Sequence, residues 1–156
     1  MEEIVDKNDM VSMLRDAVRT HKQWTENALS LIKGIPLDKK LVPINSTDCE
    51  FGKWYYGEGQ NIRSMPGFKE IEDLHGELHD TYREIFVILF GEIEQTASFF
   101  SRLFGQPHKI TNENRQVAMN KYNKLHDQSE QITKQLIQIE KMVTAMADEQ
   151  LESYLS

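Results

Sequence analysis

The chain has one cysteine, Cys49, in 156 residues. No internal disulfide can form, so the thiol is a buried apolar group, a reactive nucleophile or a metal ligand. Long hydrophobic runs are also missing. The longest apolar stretch, Ile85-Phe86-Val87-Ile88-Leu89-Phe90, is far too short to cross a bilayer. The N-terminus is acidic, with Glu2, Glu3 and Asp6, and has no apolar segment of the kind a secretory signal needs. The chain therefore reads as soluble and cytoplasmic, with no membrane partner. Positive charge is in deficit: 18 Lys and Arg against 25 Asp and Glu, for a net charge of −7. Phosphate binding needs clustered basic residues, and pairs such as Lys39-Lys40 are scattered, so no nucleic acid partner is expected. Strand-type alternation is nearly absent.

Gly and Pro are few, and they cluster. Gly34, Pro36 and Pro43 mark one break, Gly52 to Gly67 a second, and Gly105 with Pro107 a third. Between these breaks the hydrophobic period is helical. The first helix is expected from an N-cap at Asp9 to Lys33, with the stripe Val11, Leu14, Val18, His21, Thr25, Ala28, Ile32. A short helix starting near Thr47-Asp48 carries Cys49, Phe51, Trp54 and Tyr55, and Gly57-x-Gly59 stops it. A third helix is predicted from about Pro66 to Leu103, with the stripe Ile71, His75, Leu78, Tyr82, Ile85, Leu89, Ile93. The last runs from about Thr111 to Tyr154. Its seam, Tyr122, Leu125, Ser129, Ile132, Leu136, Ile139, Val143, Met146, alternates steps of three and four. The fold class is all-α: a four-helix bundle with a short extra helix carrying the cysteine. A single domain is expected over residues 1–156, with a core over about 9–104 and a closing helix over about 111–154. An apolar content of 39% is lean for a chain of this size. It fits a wet helical surface or pairing with a second copy.

Three of the five histidines lie on apolar stripes. His75 and His79 are one helical turn apart, so both imidazoles can reach one ion. His21 faces inward on another helix. Cys49 opens a short helix, where exposed N–H groups favour thiolate. Three imidazoles and one thiolate complete a tetrahedral set for one Zn2+ per chain, and the soft sulfur argues against magnesium or calcium. Inward histidines are costly to bury unless something satisfies them, and a metal does so at once. His108 and His126 fall outside these stripes.

The residues His21-x-x-Trp24, Cys49-x-Phe51-Gly52-x-Trp54-Tyr55 and His75-x-x-x-His79, in this order, resemble the chemoreceptor zinc-binding domain. The resemblance covers about residues 14–90. It implies a His3Cys zinc site of His21, Cys49, His75 and His79 inside a four-helix bundle, commonly a homodimer. In that family the domain is fused to cytosolic chemoreceptors and diguanylate cyclases. Trp24, Phe51, Gly52, Trp54 and Tyr55 match packing residues around the site. No receptor signalling hairpin or cyclase signature is attached, so the chain reads as a stand-alone member whose output is open. It is expected to be a sensory module in chemotaxis or cyclic-di-GMP signalling, responding to zinc or to oxidation of Cys49 by hypochlorous acid.

Three other readings draw on the same residues. A purely structural zinc bundle mediating protein–protein interaction differs from a sensor only in how labile its metal is. A di-iron or hemerythrin-like bundle could use Glu72-x-x-His75, but it needs a second Glu-x-x-His, which is missing. A zinc hydrolase needs an open coordination position, and four protein ligands close it, so no enzyme activity is expected.

Overall fold

A computed structural model describes residues 6–35, 46, 49–90 and 111–155 of the chain. Helix α1 spans Lys7–Ile32. The side chain of Asp6 accepts the Asn8 N–H at 2.8 Å, so Asp6 is the N-cap and the expected Asp9 falls in the first turn. An acidic residue there still suits the positive end of the helix. The helix stops in a Schellman turn: Gly34 takes φ +78°, and the Gly34 and Ile35 N–H groups donate to Leu31 and Ser30 carbonyls. The buried stripe is Met10, Leu14, Ala17, His21, Thr25, Ala28, Leu31, Ile32. It is rotated slightly from the expected one, leaving Val11 and Val18 only partly buried.

Helix α2 is Glu50–Tyr56, headed by Cys49, and a 3-10 helix, Glu58–Ile62, follows it. Helix α3 is Phe68–Phe90, and every described member of its expected stripe is buried. Ile93 and the rest of the expected extension to Leu103 lie outside the described residues. Helix α4, Asn112–Ala145, starts where Thr111 accepts the Asn114 N–H at 3.1 Å. Its seam residues Leu125, Ile132, Leu136, Ile139 and Val143 are fully enclosed. Complete burial of one such side chain contributes about 1.5–3 kcal/mol.

The last helix was expected to run unbroken to Tyr154. It ends at Ala145 instead, Met146 and Ala147 are extended, and α5 covers Asp148–Glu152. A straight continuation of the seam would place Gln150 and Ser153 against the core. The break leaves both exposed and buries Leu151 in their place.

Helices α1 and α3 both pack on α4, with α2 beside α1. Arg15–Glu140 at 2.6 Å and Lys7 Nζ to Met146 O at 2.6 Å set the start of α1 beside the end of α4. Lys121–Glu84 at 2.8 Å sets the start of α4 beside the end of α3. Such exposed pairs mark register and contribute about 0–1 kcal/mol each. The architecture is an all-α bundle with Cys49 heading a short helix, and no strand occurs among the described residues. None of these helices is long and apolar enough to cross a membrane.

Candidate metal centre

His21, Cys49, His75 and His79 converge from three helical segments, and each is at most 2% exposed. One donor atom from each lies within 4.8 Å of all the others.

His21 is held by its own helix. Its Nδ1 sits 2.6 Å from the Ala17 carbonyl. A carbonyl only accepts, so the proton is on Nδ1 and the lone pair is on Nε2. That Nε2 is buried and has no hydrogen-bond partner. Such an orphan costs about 1–3 kcal/mol, unless a cation takes the lone pair. His75 and His79, one turn apart on α3, bring their Nε2 atoms to 3.1 Å. The Cys49 sulfur lies 3.3 Å from the same His75 Nε2. It accepts the Gly52 N–H at 3.2 Å and lies 3.3 Å from the Ser46 carbonyl. A tetrahedral zinc with ordinary bond lengths spaces its nitrogens about 3.3 Å apart and its sulfur about 3.6 Å from each. The two close pairs already match those edges to within a few tenths of an ångström. The residues present fit a tetrahedral metal ion.

The electrostatics agree. Burial, with repulsion from His21 and His79, pushes His75 down to about 2. Burial takes His21 down to about 4, against the opposing pull of the Ala17 carbonyl. Both rings are neutral at physiological pH and offer lone pairs. Cys49 corrects an expectation. The helix start was to favour thiolate, yet burial raises the thiol to about 11 and outweighs the Gly52 and Phe51 N–H groups. Only a cation in the site makes this sulfur an anion at neutral pH.

Aromatic rings wall the centre. Trp24 lies edge-on to His21 at 4.6 Å and to His79 at 5.2 Å. Phe51 meets His75 at 5.0 Å and His21 at 5.8 Å. Trp54 packs on Phe51 at 5.8 Å. Tyr55 stacks on Phe68 at 4.5 Å and donates to its carbonyl at 2.7 Å, which pins α2 to α3. These rings replace water around the donors.

Residues 21–86 match the family model of the chemoreceptor zinc-binding domain. Over that stretch the chain is similar to a chemoreceptor zinc-binding domain. The match opens on His21 and spans all four donors. No curated protein and no solved structure gives a significant match. Among the described residues no carboxylate joins the buried set. Glu72, the residue a di-iron reading would need, is exposed and accepts the Tyr56 hydroxyl at 3.2 Å. Glu77 is exposed as well. A second group, His126, Asp127 and Glu130, lies on the open face of α4. A groove of about 700 Å³ between α1 and α4, lined in part by Thr25, Tyr122 and Thr133, contains none of the four donors.

Sequence reasoning missed the Ala17 and Ser46 carbonyls. Both act through backbone atoms, which residue identity does not report.

Proposed function

We propose that the chain is a cytosolic sensory module holding one zinc ion through His21, Cys49, His75 and His79. The observation that carries this reading is the orphaned, buried Nε2 of His21, facing three further donors from two other helical segments. Bound zinc supplies the charge that keeps Cys49 a thiolate and joins α1, α2 and α3 at one point. The protein's own groups do the rest. Ala17 orients His21, α3 sets the spacing of His75 and His79, and the aromatic wall excludes water.

Two inputs fit. One is zinc itself, since occupancy couples three helices and satisfies the buried His21 Nε2 that is otherwise unmatched. The other is oxidation. The Cys49 thiolate attacks hypochlorous acid, the sulfur takes up oxygen to become sulfenic acid, and the chlorine leaves as chloride. Sulfur loses its anionic donor character, leaving three imidazoles. With four protein ligands no position stays open for a catalytic water, so the reading is of a binding module and not an enzyme.

A homodimer formed along the long helices, signalling to a chemoreceptor or diguanylate cyclase, completes the proposal. Exposed Val87 on α3 and Val117 on α4 support an apolar contact there. Phe86, which the sequence placed outside the main α3 stripe, does not, because it is buried in its own chain. Light scattering that finds a monomer at micromolar concentration would remove the dimer. The purely structural reading draws on the near-complete burial of all four donors. Metal analysis decides between the two readings. Untreated protein should carry one zinc per chain and lose it after stoichiometric hypochlorous acid; zinc retained through that treatment would leave a structural role only.

A further inference from the structure

Gly52 occupies the third position of α2, with its backbone against Ser46. A Cβ built there would overlap the Ser46 carbonyl oxygen and lie 2.9 Å from its carbon and 3.4 Å from the Cys49 sulfur. The first two are backbone atoms, which cannot swing aside as the end of a long side chain can. Any side chain at position 52 therefore pushes Ser46 off the helix. The Ser46 carbonyl is also 3.3 Å from the sulfur, and the Gly52 N–H reaches the sulfur at 3.2 Å. Ser46 thus lies over the first turn of α2, and the sulfur sits between its carbonyl and the Gly52 amide. Gly76 is the internal contrast. It neighbours His75 in sequence, yet a Cβ there meets nothing within 4 Å.

We propose that Gly52 is a positioning residue for the metal: its missing side chain leaves room for Ser46 beside the first turn of α2, and its N–H aims the Cys49 sulfur at His75. The proposal rests on the reading of Cys49 as a zinc ligand. Outer contacts of this kind typically carry a 10–100-fold effect on metal affinity.

The test measures zinc affinity of the full chain by competition with a chromophoric chelator. Gly52→Ala should bind about 10–100-fold more weakly than wild type, and Gly76→Ala should bind as wild type does. In cobalt-loaded protein the sulfur-to-metal charge-transfer band should shift in Gly52→Ala alone. The Gly52→Ala penalty should vanish in a Cys49→Ser background, because the residue acts through that sulfur. A penalty that persists without the sulfur, or an affinity and band equal to wild type, would overturn the proposal. If Gly52→Ala does not fold, wild-type protein loaded with spin-active cadmium still decides. The Gly52 amide proton should couple to the metal through the sulfur, and absence of that coupling refutes the assignment. Wild-type protein that binds no zinc would instead reject the ligand reading, a failure distinct from tight wild-type binding with an unaffected Gly52→Ala.

Discussion

Metal-free protein should lose stability steeply on mild acidification, and the size of the loss follows from two buried rings. On folding, His21 falls from 6.5 to about 4 and His75 from 6.5 to about 2. The unfolded chain therefore binds protons that the folded chain refuses. Stability is full above about pH 6.5 and falls as pH drops through the window below it. It stops falling at about 4 for His21 and about 2 for His75. At pH 5 each ring has removed about 2 kcal/mol, or about 4 kcal/mol together. That is a large share of the roughly 5–15 kcal/mol holding a typical domain together. Urea unfolding of chelator-treated protein at pH 7.5 and pH 5 reads the loss directly. With a slope of about 2 kcal/mol per molar, the midpoint should drop by about 2 M. His75→Leu removes one of the two rings and should halve the shift. Zinc-loaded protein should shift less, since protons must first displace the ion. A midpoint that moves by less than about 0.5 M in metal-free protein would refute the burial argument for both rings.

Three further outcomes follow. His79→Ala should lose zinc and lower the melting temperature of the zinc-loaded sample together, because the other donors stay buried without their partner; full zinc retention by metal analysis would remove His79 from the ligand set. Cys49→Ser should still fold by circular dichroism and bind zinc more weakly through three imidazoles and a water. Its zinc release by hypochlorous acid should disappear, and release equal to wild type would end the redox reading. Zinc uptake at pH 7.5 should release about one proton per ion, because the thiol is pushed up to about 11 while His21 and His75 are already neutral; a weakly buffered titration with an indicator dye that finds none would show that Cys49 is not a ligand.

The long helices were legible from periodicity because burying a stripe on a 3.6-residue helix leaves a direct record in residue order. The α4 seam shows this best: all of its apolar members from Leu125 to Val143 are enclosed. Boundaries were less legible. Asp6 and Asp9 are equally good caps as residue types, and only the backbone around Asn8 chooses between them. The end of α4 was missed because the pattern through Met146 continues smoothly. The gain from burying Leu151, which turns the chain, depends on a surface that other helices build.

His21, Cys49, His75 and His79 stood out as candidate donors in the residue order alone, since one soft sulfur and a histidine pair at one-turn spacing leave few alternatives within a helical chain. Their place on apolar faces was equally legible, because their neighbours at steps of three and four are apolar. How these candidate donors are tuned emerges only on folding. Enclosure by Trp24, Phe51 and the surrounding helices depresses the imidazoles and raises the thiol, reversing the thiolate expected from the helix start alone. The Ala17 carbonyl selects the His21 tautomer, and the Ser46 carbonyl accounts for the glycine at position 52. Both effects come from backbone oxygens, which every residue carries alike, so only folding can say where they point.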